Sequence, residues 1–357
     1  MRLRNEIRSS GGMHSLLTLF RTKDTTRELK VVAALAIAYL LPPFVESSSL
    51  SSPNLALKIV ECLRFLFASR SISPKGHEIP QFEMYQASVM GLTTFWINAF
   101  FPMIQKGGIR KDSNQEKPLA TRVVRGRKGP FRAAAGDRRE SLEMQELLEI
   151  TVSLIVGLAK LTDTQLQQSN PGKSDFDTKL NLRFTLVEQM CAVDVARPIA
   201  VREGLLKVLV DWMKSKDRDK IRPAATSLRD LTSTLDKYMA GWIHSQIVSE
   251  GALGEIVELS VSESAGHEVR LAVAQILSSL CVAAHTRDAV VDAQCINYLI
   301  PLLYDHGDPS SEEVVFAAGS ALLQLLAGAM TRVSVYRMES IDPNDGSTVD
   351  KRDKVIK

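Results

Sequence analysis

Apolar residues recur three and four positions apart in four stretches of this 357-residue chain, which overlay without gaps. The stretches begin at Ser10 (SGGMHSLLTLF), Glu203 (EGLLKVLVDWM), Glu250 (EGALGEIVELS) and Ala293 (AQCINYLIPLL). Met13, Leu16, Leu17 and Leu19 of the first copy match Leu206, Leu209, Val210 and Trp212 of the second. The third aligns Leu253, Ile256, Val257 and Leu259, and the fourth Ile296, Leu299, Ile300 and Leu302. Such steps put the side chains on one face of a helix. A polar break follows each stretch, then a second helical segment rich in alanine. The segment from Leu29 (LKVVAALAIAYL) aligns with that from Val269 (VRLAVAQILSSL), while Ile221 opens its copy one residue early and Val314 two residues late. Gly11, Gly204 and Gly251 precede the first helix, where a sharp turn suits a residue free of Cβ strain. The fourth copy has Gln294 there, which predicts a turn made differently.

The copies are 47 residues apart from Gly204 to Gly251 and 43 from Gly251 to Gln294, a spacing expected of stacked helical repeats. Glu250–Leu259, then Glu268-Val269-Arg270 and the alanine-containing helix to Leu280, resemble the motif of the armadillo-repeat family. The resemblance extends over 200–330 and 10–41 and is blurred between them. HEAT repeats are the alternative; the glycine before the first helix favours armadillo. The resemblance implies an all-α, right-handed α-solenoid of armadillo/HEAT-like repeats, with a long basic insertion.

The same resemblance implies that the third helix of each repeat lines a groove for extended peptides. Importin-alpha-type receptors, as a family, line it with Trp and Asn four residues apart. Here the Asn position holds Tyr39, Asp230, Ser279 and Gln324, and the position four earlier holds Leu35, Thr226, Gln275 and Ser320. That array is missing, so the import-receptor use is not expected. These eight residues and Arg270, at the start of the third copy's inner helix, are the candidates for a partner-binding face.

Charge patterning divides the chain further. Residues 1–104 form an N-terminal block of helical repeats. Between 105 and 139, eleven Lys or Arg meet three acidic residues, giving +8 in a chain whose total is +3. Helical periodicity stops there, and the segment reads as a disordered basic insertion. Repeats resume over 140–330, and 331–357 form a polar tail that could lead into a further repeat. Leu3–Ser9 resemble the closing helix of a preceding repeat, so further repeats encoded upstream are expected.

Candidate chemistry is sparse. Gly172-Lys173-Ser174 has the end of a phosphate-binding loop but lacks its earlier glycine, with Gln167 in that place, so a solvated loop is the better reading. Cys281, His285 and Cys295 lack the paired-cysteine turn of a structural zinc site. Asp305, His306, Asp308, Glu312 and Glu313 cluster in one inter-helix loop, where solvation and capping suffice to explain them. No catalytic motif, metal site or cofactor-binding motif is recognisable, and an enzyme is not expected. The four scattered cysteines on apolar helical segments read as buried thiols of a cytoplasmic or nuclear protein. The most apolar run, Val31 to Leu41, is too short to span a bilayer, so no integral membrane segment is expected.

A non-enzymatic scaffold or adaptor binding protein partners through the groove is therefore the first expectation. The second is the repeat region of a larger regulatory protein, such as an armadillo-bearing ubiquitin ligase. The third assigns nucleic-acid or acidic-membrane binding to Arg122, Arg125, Arg127, Lys128, Arg132, Arg138 and Arg139. Only Phe131 offers base stacking in that segment, so a solvated loop is its plainer reading. The sequence leaves the partner and the oligomeric state open.

Overall fold

The computed structural model describes residues 6, 10–41, 53–69, 81–96, 100, 133–161, 176–215, 217–261, 265–304 and 311–339. Among them every regular element is helical and no strand occurs. Packing divides the chain into two units, 1–208 and 209–357.

The first unit opens with α1 (Gly12–Arg21) and α2 (Arg27–Leu40). Thr26 caps α2, its hydroxyl oxygen accepting the Leu29 N–H at 3.4 Å. Ala34, Ile37 and Leu41 are fully buried where α2 meets α3 (Pro53–Ser69) and α4 (Gln81–Phe95). Close approach needs Gly91 on α4, since a Cβ there would stand 3.0 Å from Leu63 Cδ2 and 3.3 Å from Ala38 Cβ. α5 (Ala133–Ala159) packs on α3 and on α6 (Phe176–Cys191), and a 3-10 turn (Asp194–Ala196) leads to α7 (Arg197–Arg202).

Two expected boundaries move. The backbone is helical from Ala133, so Arg138 and Arg139 belong to α5 rather than to the insertion. Three consecutive alanines, the best helix formers, start the helix early, and Arg138, Arg139 and Glu140 continue it past Gly136 and Asp137. The insertion also does not separate the packing units. α5 lies against α3, and the division falls at 208/209, inside α8 (Leu205–Lys214).

The second unit continues with α9 (Arg218–Thr232), α10 (Lys237–Ser249), α11 (Ala252–Val261) and α12 (His267–Leu280). α13 (Ala284–Asp292), α14 (Ile296–Leu302) and α15 (Ser311–Glu339) complete it. Two three-helix copies, α10–α11–α12 and α13–α14–α15, thus follow the inner helix α9. Three helices per copy make this an armadillo-like repeat rather than a two-helix HEAT repeat. α12 packs between α9 and α15, and buried Ala224, Ala225, Ala272, Ala274, Ala318 and Ala321 permit the close stacking. α15 stays helical to Glu339, nine residues into the expected tail. By length and composition its window Glu312–Ala329 is long and apolar enough to cross a bilayer, and 33% of that window is buried.

The turn between the first two helices of a copy repeats in detail. Gly204, Gly251 and Gln294 have φ of 83°, 72° and 56°, and Gly11 has 78°. The N–H groups of Gly204, Gly251 and Gln294 each donate to the carbonyl three residues earlier, at 3.0, 3.1 and 2.9 Å. The fourth turn is therefore made in the same way as the others, contrary to the expectation from its glutamine. The helix path dictates a left-handed residue, and Gln294 accepts strain of about 1 kcal/mol to provide it.

A second recurrence escaped the sequence reading. Seven residues before each of these turns stand Arg197, His244 and Arg287. Arg197 Nε donates to the Cys191 carbonyl at 2.7 Å, His244 Nε2 to Thr232 at 3.0 Å, and Arg287 Nε to Cys281 at 2.8 Å. Each acceptor ends, or lies just past, the preceding inner helix. These side chains satisfy carbonyls that a helix C-terminus leaves open.

Candidate functional site

The inner helices α9, α12 and α15 frame a groove of about 850 Å³. α9 contributes Arg229, Asp230 and Ser233, and α12 contributes Gln275, Ser278 and Ser279. α15 adds Glu312, Glu313, Phe316 and Ser320 from the opposite side. Side chains four apart on a helix share a face, which is why Phe316 accompanies Ser320 and Gln275 accompanies Ser279.

Arg229 presents both Nη2 and Nε to Asp230 Oδ1, at 2.8 and 3.0 Å, so this carboxylate already has a cation. Glu312 and Glu313 are exposed at the first turn of α15, where the helix dipole favours acidic side chains. Ser278 Oγ donates to Ser320 Oγ at 3.2 Å, bridging α12 and α15 along the groove lining. Phe316 is 80% exposed, an apolar surface set among charges and hydroxyls. The Gln275 side-chain carbonyl is buried without a hydrogen-bond partner. The residue itself lines the groove.

Of the nine sequence candidates, the groove brings together Asp230, Gln275, Ser279 and Ser320. Thr226 does not join them. It is buried, and its hydroxyl donates to the Arg222 and Pro223 carbonyls of its own helix at 3.0 and 3.2 Å, so it belongs to the packing between helices. Gln324 and Arg270 are half-buried outside the lining. Leu35 and Tyr39 lie on α2 in the first unit, Leu35 half-buried and Tyr39 exposed. Arg229, Ser233, Ser278 and Phe316 were missed. Extending each candidate by one helical step along its own face would have found Phe316, four residues before Ser320.

The remaining candidates separate in space. Cys281 and Cys295 are buried, and burial, the largest cause, pushes their thiols up to about 12 and about 11. His285 instead meets Ser245 Oγ at 2.9 Å on the exposed side of α13. The same hydroxyl also lies 2.9 Å from the Gly241 carbonyl of its own helix. Among the described residues no group of three possible metal ligands occurs. Arg122, Arg125, Arg127, Lys128 and Arg132 lie outside the described residues, as do Gly172-Lys173-Ser174, Asp305, His306 and Asp308.

No family model matches the sequence, and no curated protein does either. Similar solved structures include an engineered protein, 19% identical, covering 89% of this chain and 97% of its own, with a TM-score of 0.47. A designed armadillo repeat protein in complex with the peptide (KR)4 is 12% identical, covers 87% and 98%, and has a TM-score of 0.47. Computationally designed armadillo repeat proteins for modular peptide recognition give 13%, 87% and 98%, with a TM-score of 0.47.

Proposed function

We propose that the chain is a protein-binding scaffold that holds an extended partner segment in the α9–α12–α15 groove. The buried, unpartnered Gln275 carbonyl beside the exposed Phe316 ring carries this reading. An extended peptide supplies what both lack. Its backbone N–H groups satisfy an orphaned acceptor, whose isolation costs about 1–3 kcal/mol, and its apolar side chains cover the ring. Asp230, Glu312 and Glu313 against Arg229 leave the lining acidic, which favours a segment with a positive charge. A cytoplasmic or nuclear setting accords with four buried cysteines that remain unpaired.

Affinity purification of the full chain tests the proposal, using Phe316→Glu and Gln275→Ala beside the exposed control Asp292→Asn. Loss of the same partners in both groove variants, with helical content and the control unchanged, is the expected result. Retention of those partners by both variants overturns it.

A further inference from the structure

The charges of the α9–α12–α15 groove are divided unevenly between its walls. Asp230, Glu312 and Glu313 oppose a single cation among the lining residues, Arg229. On the α9 wall that guanidinium already holds Asp230, donating from Nη2 and Nε to one carboxylate oxygen at 2.8 and 3.0 Å. The pair is sheltered, with 19% of the Asp230 side chain and 34% of the Arg229 side chain exposed. A second cation arriving there would meet a paired carboxylate and a like charge. On the α15 wall, Glu312 and Glu313 are exposed, and among the described residues no Lys, Arg or His pairs with either. The uncompensated negative charge of the lining therefore gathers at one end of α15. Two carboxylates there outweigh the partial charge of about +0.5 that the start of a helix carries.

Phe316 lies three residues beyond Glu313 and four beyond Glu312, so the three side chains share one face of α15. Neighbours at this spacing have Cβ atoms about 5–6 Å apart. The ring is 80% exposed. One group can therefore cover the ring and reach a carboxylate at the same time. Arginine suits this better than lysine. Its planar guanidinium stacks on an aromatic face while its N–H groups donate to a carboxylate in the ring's neighbourhood. The lysine ammonium is a compact, strongly hydrated charge with no plane to stack.

We infer that the α15 wall selects one arginine of the bound segment, its guanidinium over Phe316 and hydrogen-bonded to Glu312 or Glu313, and that Arg229 keeps the α9 wall from taking a second cation. The inference rests on the proposed groove binding and narrows it. The partner segment carries an isolated arginine among uncharged residues rather than a basic run. Arg229 is then a specificity-determining residue, because its charge neutralises the carboxylate that a second cation would need.

Selection of random linear peptides on the full chain tests this, followed by titration of the enriched peptides against the wild type and its variants. The expected peptides carry one arginine at a fixed place with uncharged neighbours. Replacing that arginine by lysine weakens binding roughly fivefold, and so does Phe316→Leu, which keeps an apolar side chain but removes the ring. Glu312→Gln combined with Glu313→Gln weakens the arginine peptide but not its alanine counterpart. Arg229→Gln, which frees Asp230, raises affinity for peptides with a second cation. Wild-type binding that strengthens with each added cation overturns the inference, as do enriched peptides without arginine. If those peptides still depend on Gln275 and Phe316, the groove reading stands and only the arginine is lost. Enriched peptides indifferent to Phe316→Glu and Gln275→Ala overturn both, as does a library from which nothing is enriched.

Discussion

α12 and α15 hold the same place in successive copies, yet one is covered on both flanks and the other on one. Leu277 on α12 is fully buried, whereas its counterpart Leu322 is half-buried, and Leu326 is 60% exposed where Cys281 is fully buried. Burial of equivalent side chains is thus set by neighbouring copies as well as by the local sequence. Leu277→Ala leaves a cavity between packed helices and is expected to cost about 2–5 kcal/mol in urea unfolding. Leu326→Ala is expected to cost less than about 1 kcal/mol, since the leucine is already largely solvated. Equal losses would break the comparison and mean that the α15 face is covered within a single chain.

The carbonyl-capping side chains show the same positions filled by different chemistry. Arg287 donates to the Cys281 and Val282 carbonyls, the latter at 3.0 Å, and its removal by Arg287→Ala is expected to cost about 1.5–3 kcal/mol. His244 does the corresponding task with a titratable ring. Burial, the largest cause, holds its pKa below the ordinary histidine value, the nearby His285 adds to this, and the Thr232 hydrogen bond opposes it. The unfolded chain therefore takes up a proton on this histidine at higher pH than the folded chain. The stabilising contribution is complete above about pH 6.5 and is lost as pH falls toward the depressed folded value. His244→Gln, which keeps a donor without titrating, is expected to flatten the acidic limb of a plot of stability against pH. An unchanged limb would assign the acid sensitivity to other groups.

The helices and their repeat register were legible because apolar spacing and small-residue segments survive in all four copies. The groove was half legible. Helical register could place Asp230, Gln275, Ser279 and Ser320 on one side, but a few tens of degrees of rotation decide whether a residue lines a groove or packs inside. Thr226 fell on the packed side, a difference that alignment of the copies does not encode. The carbonyl caps were hidden for another reason. Arg197, His244 and Arg287 differ in type, and their common partner is a backbone carbonyl, which leaves no residue pattern. Alanine-rich residues at the start of α5 were obscured by the surrounding basic charge, although arginine is itself a good helix former.

The smallest expected effect separates sequence preference from imposed geometry most cleanly. Gly251 and Gln294 make the same left-handed turn, and a Cβ on Gly251 would meet nothing within 4 Å. Any penalty for a side chain there is therefore backbone strain rather than collision. Gly251→Ala is expected to lose about 1 kcal/mol, and Gln294→Gly to gain about 0.5 kcal/mol. The gain is smaller because glycine also makes the unfolded chain more flexible, which offsets part of the relief. Opposite signs in matched urea titrations would establish that the fourth copy keeps its turn against its own residue's preference. A loss from Gln294→Gly as large as that from Gly251→Ala would instead mean that the glutamine side chain makes a stabilising contact outweighing the strain.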